Sequence, residues 1–154
     1  MGRLRAAFPL AVALATAGFA CHSEPRAAAA QSAVGLLLSS INAERSARHL
    51  RPLQLDPVLC RVARRHATDM ALRNYFDHVT PEGRSPFARM TAAHYRFRYA
   101  GENLAIDGSV TSIVRDFERS REHRANLLGR HFARVGIGEV DAPVGEIVVE
   151  DFSD

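Results

Sequence analysis

The chain carries seven histidines and two cysteines, and two of the histidines stand where chemistry is worth weighing. His78 lies in YFDHVTPEG, between an aromatic pair and a Pro/Gly turn, and His123 lies in SREHRANLL. The 45 positions between them rule out a local i,i+4 pair, so only tertiary folding brings the two rings together. Neutral imidazoles ligate zinc, copper or nickel, and a nearby carboxylate can join as ligand, orient a ring or act as a base. Several familiar arrangements are missing. No serine occupies a G-x-S-x-G elbow, HExxH is absent, and Cys21 and Cys60 form no CxxC or Cys/His spacing. His66 falls on an apolar helical face and reads as a hydrogen-bonded core residue. His22, His49, His94 and His131 read as surface or loop residues. Glu139, Asp141 and Glu146 read as a solvated acidic cluster at a strand end.

The elements that must position these residues follow from periodicity and punctuation. Val34, Leu37, Leu38 and Ile41, with Arg45, recur at helical spacing and predict a first helix over about 33–48. Pro52 in HLRPLQLD breaks it. Asp56-Pro57 then forms a helix start, the carboxylate accepting backbone N–H groups and proline fitting the first turn. Leu59, Val62, Ala63, His66, Ala67, Met70 and Ala71 line one face of that second helix, which runs to about Tyr75. Cys60, in the same stretch, reads as a buried thiol. After VTPEG, Ser85-Pro86 opens a short helix, FARMTAA. HYRFRYA alternates with period two and predicts a half-buried strand leading into a tight GENLAIDGS loop. Ser109 caps a helix over about 110–119, and REHRANLLG forms a brief turn or helix stopped by Gly129. ARVGIGEV and EIVVEDF, on either side of DAPVG, predict an antiparallel hairpin with Pro143 and Gly145 in its loop. Helices first and strands later suggest α+β, with helices packed on an antiparallel sheet.

With 154 residues and 47% hydrophobic content the chain suits one compact domain. Its first 20 residues place Arg3 and Arg5 ahead of an apolar run that ends in small side chains, the layout of an export signal. That run is too short to remain as a spanning helix, so no transmembrane helix is expected in the mature form. Cleavage before Cys21, after Gly18-Phe19-Ala20, would leave a cysteine that could carry a lipid anchor. Cleavage within Ala27 to Ala30 would leave a free protein. The expected location is outside the cell or in the periplasm and envelope, with residues 21–32 as a flexible tether and 33–154 as the domain.

The net charge of +3 belongs mostly to the signal. Without residues 1–30 the chain holds 17 arginines against 16 acids, a net +1. Every basic residue is arginine, which reads as a genome-composition bias, and no basic stripe carries interleaved stacking aromatics. Nucleic acid is therefore not an expected partner.

Taken together, Asn42 with Arg45, RPLQLDPVL, ARRHATDM, NYFDHVTPEGRSPFARM, AGENLA, S-x-x-HRANLL and FARVGIGEV through VVEDF form an ordered series. It resembles the CAP, or SCP, superfamily of secreted proteins, the group that includes cysteine-rich secretory proteins, antigen 5 allergens and plant pathogenesis-related proteins. The resemblance is to the short bacterial members and covers about residues 34–153. It implies a three-layer α-β-α sandwich with a central antiparallel sheet and a cleft lined by two histidines and two acids. In several members the histidines hold zinc or another divalent metal.

By motif, the resemblance implies His78 and His123 as metal ligands and Glu102 of AGENL as the first acid. The second acid departs from the pattern, because Ser120 of DFERS stands at its position. Glu118 and Glu122 are neighbours, but both point well away from position 120 at roughly 100° per residue. Two functions follow as expectations. One is a binding or interaction module whose cleft takes a divalent metal, a lipid-like molecule, a peptide or a protein partner in the envelope. The other is a metal-assisted, peptidase-like hydrolase with Glu102 as general base. The plainer reading of the residue types is that Glu102 braces its loop while the histidines hydrogen-bond around a wet cleft.

Overall fold

A computed structural model describes residues 25–154 of the chain, with side chains from residue 33 onward. The expected signal over 1–20 and the expected anchor at Cys21 lie outside the described residues. The elements in order are α1 (Pro25–Ser46), β1 (Gln54–Leu55), α2 (Pro57–Arg73), α3 (Pro86–Ala92), β2 (Ala100–Asp107), α4 (Val110–Arg119), α5 (Arg121–Leu127), β3 (Arg134–Ala142) and β4 (Gly145–Ser153). The first helix takes in residues 25–32, which composition reads as tether. No helix among the described residues is long and apolar enough to cross a membrane.

The strands form one sheet in the order β1-β3-β4-β2. It is antiparallel apart from the two-residue β1, which pairs parallel to β3. Strand parity assigns the faces. Val135, Ile137, Val148 and Phe152 meet Leu37 and Ile41 of α1, Ile113 and Phe117 of α4, and Leu127 of α5. On the other face Leu104, Ile147 and Val149 meet Ala63, Ala67 and Met70 of α2. Leu59 and Val62 of α2 join Met90 of α3. This is the α-β-α sandwich that the motif series implies.

Two glycines set the spacing of the α2 layer. A Cβ on Gly136 would lie 2.1 Å from the Leu59 backbone, and one on Gly138 would lie 2.2 Å from the Arg64 nitrogen. Only bare backbone lets the helix sit this close to β3.

The caps act as their residue types require. Asp56 accepts from Val58 and Leu59, and Ser85 and Ser109 accept from Ala88 and Ser112. α2 stops at Asn74 in a left-handed conformation, φ 55°. Cys60 is half-buried, and burial pushes its thiol pKa up.

One expectation fails. Residues 95–99, expected as a strand, make no ladder, and the strand is AGENLAID, expected as a loop. The register explains this. Ala100 pairs with Ser153, the last residue of β4, so nothing remains on that strand to pair with residues 95–99. Asp154 instead pins the segment, its Oδ1 accepting from the Arg98 and Tyr99 nitrogens.

Candidate functional site

β2 is an edge strand, and the site forms around it. After α2 ends, residues 77–84 fold into a braced connection. Asp77 Oδ1 accepts from the Val79 nitrogen at 2.8 Å, the Gly83 nitrogen donates to the Thr80 carbonyl at 2.7 Å, and the Asp77 carbonyl accepts from His66 Nε2 at 2.9 Å. His66 is therefore a core histidine that holds the backbone next to His78. Arg89 of α3 clamps the other side, its guanidinium donating 2.7 Å to the His78 carbonyl.

Held this way, the His78 ring meets β2. Its Nδ1 lies 2.7 Å from Glu102 Oε1. Arg89 Nη2 pairs with the second oxygen, Oε2. The Glu102 side chain is 2% exposed, whereas that of His78 is 52% exposed. The hydrogen bond to Glu102 raises the His78 pKa, because a carboxylate stabilises the imidazolium.

A third group faces Glu102. Asp151 sits directly opposite it across the β2–β4 ladder and is wholly buried. Burial, and then the charge of Glu102, push the Asp151 pKa well above the carboxylate range. Asp151 thus stands beside Glu102 as a buried acid that holds its proton more tightly than an ordinary carboxyl. The residue next to the first acid is this aspartate, which sequence reasoning missed.

His123 arrives on α5. That helix is fastened to β2 by Asn126 Nδ2, which donates to the Glu102 carbonyl at 3.1 Å and to Asn103 Oδ1 at 2.9 Å. Asn103 Nδ2 donates in turn to the His123 carbonyl and to Glu150 Oε2, at 3.2 and 3.1 Å. Gly101 makes the approach possible, since a Cβ there would lie 2.7 Å from Asn126 Oδ1. On the far side Arg45, 1% exposed, donates to the carbonyls of Arg51, Leu127, Gly129 and Phe132.

The His123 ring packs edge-on against Phe117, centroids 5.0 Å apart, and its Nδ1 is buried without a partner among the described residues. Burial lowers its pKa, and the charge of His78 lowers it further. Glu150, wholly buried on the same face as Asn103, has its pKa pushed up to about 8 by burial and is protonated at neutral pH.

Ser120 is a joint. It ends α4, its nitrogen donating to the Asp116 carbonyl, and it starts α5, its hydroxyl accepting from the His123 nitrogen. Glu118 is turned toward α1, where the Ser40 hydroxyl donates to it. Glu122 is exposed in the first turn of α5.

The donor set bears on a metal. Among the described residues no three His, Cys, Asp or Glu side chains group as a metal site. A carboxylate at Nδ1 is nevertheless how proteins orient an imidazole whose Nε2 binds an ion. Glu102 thus stands behind the His78 ring, and the exposed side of that ring is what remains for a ligand.

Residues 38–152 match the family model for CAP, the cysteine-rich secretory protein family. The chain is 39% identical over 113 residues to Uncharacterized protein YkwD of Bacillus subtilis, across 72% of this chain and 43% of that protein. It is 33% identical over 105 residues to Uncharacterized membrane protein YlbC of the same organism, across 66% and 30%. The chain thus spans less than half the length of these relatives. Among solved structures, an extracellular SCP-domain protein from Bacillus anthracis matches with a TM-score of 0.73 at 28% identity, over 80% of this chain and 40% of that one. An outer surface protein from Borrelia burgdorferi shares the fold, with a TM-score of 0.75 at 22% identity over 80% and 93% of the two chains.

Proposed function

The chain belongs to the CAP family of cysteine-rich secretory proteins, and from that membership we propose that it is an exported binding module acting outside the cell or in the envelope. The extracellular and outer-surface descriptions of two structural neighbours support that location. The single observation that carries the binding reading is the state of Glu102. Its two oxygens are taken by His78 and Arg89, its side chain is 2% exposed, and the buried Asp151 stands opposite it. A carboxylate so engaged orients a ring; it is poorly placed to take a proton from water, as a hydrolase with Glu102 as base requires.

His78 and His123 are the residues that would hold a divalent ion such as zinc. Such an ion would supply a positive, Lewis-acidic point for a ligand carbonyl or carboxylate. A largely apolar groove of about 380 Å³ includes Ala100, two residues before Glu102, and is lined by Phe87, Phe97, Arg98, Tyr99, His131 and Phe132. It favours a ligand with an apolar portion, lipid-like or peptide, over a wholly polar one.

The test is zinc titration of the purified chain by calorimetry. His78→Ala and His123→Ala should each weaken binding by about tenfold or more, since each removes one of two ligands. Equal binding by the double variant would sink the metal site. Peptide or ester turnover that disappears in Glu102→Gln would replace the binding reading with the hydrolase.

A further inference from the structure

A second pocket, of about 420 Å³, opens between α2 and the segment running from Thr80 to Ala93. His78 and His123 do not line it. Its wall on α2 is one helical stripe, Val62, Arg65, His66, Asp69 and Arg73. Four arginines line the pocket, Arg65, Arg73, Arg84 and Arg89, and two of them are accounted for. Arg73 pairs with Glu82 at 2.5 Å and with Asp69 at 3.5 Å. Arg89 is bound to Glu102 and to two backbone carbonyls. Among the described residues no carboxylate pairs with Arg65 or Arg84, both exposed at the pocket. Four arginines thus face three acids, Asp69, Glu82 and Glu102, leaving the pocket a net positive charge of one with Arg65 and Arg84 outside the ion pairs.

The wall also holds two unsatisfied buried atoms of opposite sense. His66 is 1% exposed, and its Nε2 donates to the Asp77 carbonyl, so Nδ1 presents a lone pair that no group fills. Arg89 Nε is a buried N–H without a partner. Buried polar atoms left unpaired forfeit the hydrogen bonds they made to water. A group that both donates and accepts would relieve the two together, and an amide has that pair of atoms.

We propose that this pocket binds a peptide C terminus, its carboxylate between Arg65 and Arg84 and its last amide turned to His66 and Arg89, the N–H toward Nδ1 and the C=O toward Nε–H. Two guanidiniums suit a planar carboxylate, and the volume lies in the range of small-ligand sites. The site shares Arg89 with the Glu102 network but does not depend on metal at His78 and His123.

The probes are N-acetyl-Ala-Ala, its C-terminal amide, N-acetylalanine and inorganic phosphate. Each is titrated into the purified chain by calorimetry, with the His66 ring followed by NMR. N-acetyl-Ala-Ala should bind and shift the His66 signals. Arg65→Gln and Arg84→Gln, both at exposed positions, should each weaken it by about tenfold with circular dichroism unchanged. The C-terminal amide should bind at least about tenfold more weakly. N-acetylalanine binding as well as the dipeptide supports a site that reads only the terminal residue, and weaker binding supports one that reads further back. Undiminished binding in the double arginine variant, equal binding of the amide, or binding of phosphate alone overturns the proposal. So does the absence of dipeptide binding to the folded chain at millimolar concentration.

Discussion

Asp151 stands across the β2–β4 ladder from Glu102, and burial together with that neighbour raises its pKa. One step along the strand, Glu150 is a second buried acid facing the opposite side of the sheet. Both bind their proton more tightly folded than unfolded. Their contribution to stability is therefore full below the ordinary carboxyl pKa and is lost as pH rises through the folded value, about 8 for Glu150. Urea denaturation should show stability falling by on the order of a few kcal/mol between pH 4.5 and pH 8. Glu150→Gln and Asp151→Asn should each flatten that slope, and an unchanged slope in both would refute the assignment.

Glu102 should control the titration of His78. The carboxylate raises the ring's pKa, so Glu102→Gln should lower it, as read from ring signals in an NMR pH titration. His123 should move the other way, because a less charged His78 depresses it less. If His78 titrates identically in both proteins, the hydrogen bond does not set its charge.

Arg45 should be intolerant of change. Its guanidinium serves four carbonyls that have few other routes to a donor. Arg45→Met should cost about 3 to 5 kcal/mol, as for other disrupted buried polar networks. Arg45→Lys should recover only part of this, since one ammonium cannot span the fan. Denaturant melts of the two variants would check the order.

Gly138→Ala should be among the most damaging single-methyl changes in the chain. The added carbon would meet helix backbone, which cannot turn aside. A loss of about 3 kcal/mol or more is expected, whereas Gly101→Ala, which meets the end of the Asn126 side chain, should cost less and loosen α5 instead. Equal Tm values for the two variants would contradict this ranking.

Much of the frame is legible because local chemistry and tertiary packing agree. Asp56-Pro57, Ser85-Pro86 and Ser109 announce three helices, and the apolar stripe through His66 and Met70 names the buried face of α2. β2 is harder to place because the alternation in HYRFRYA is stronger than that in AGENLAID, and only the register with β4 decides which segment finds a partner. Arg89 escapes a reading by residue type, since an arginine in FARMTAA looks solvated until the fold brings Glu102 to it. Asp151 does carry a signal: its parity with Ile147 and Val149 puts an acid on an inward face. Reading EIVVEDF as one apolar run hides that parity at its acidic end.

The corner at Ser120 has a consequence for how the cleft meets a ligand. One residue closes α4 and opens α5 with no spacer between them, so Phe117 and His123 turn as parts of one bent rod. That rod is nailed to the sheet edge by Asn126 and to α1 by Arg45. A cleft wall of this kind arrives already shaped. Under the binding reading, a ligand would meet a surface whose entropy of ordering was spent during folding and not at the moment of capture.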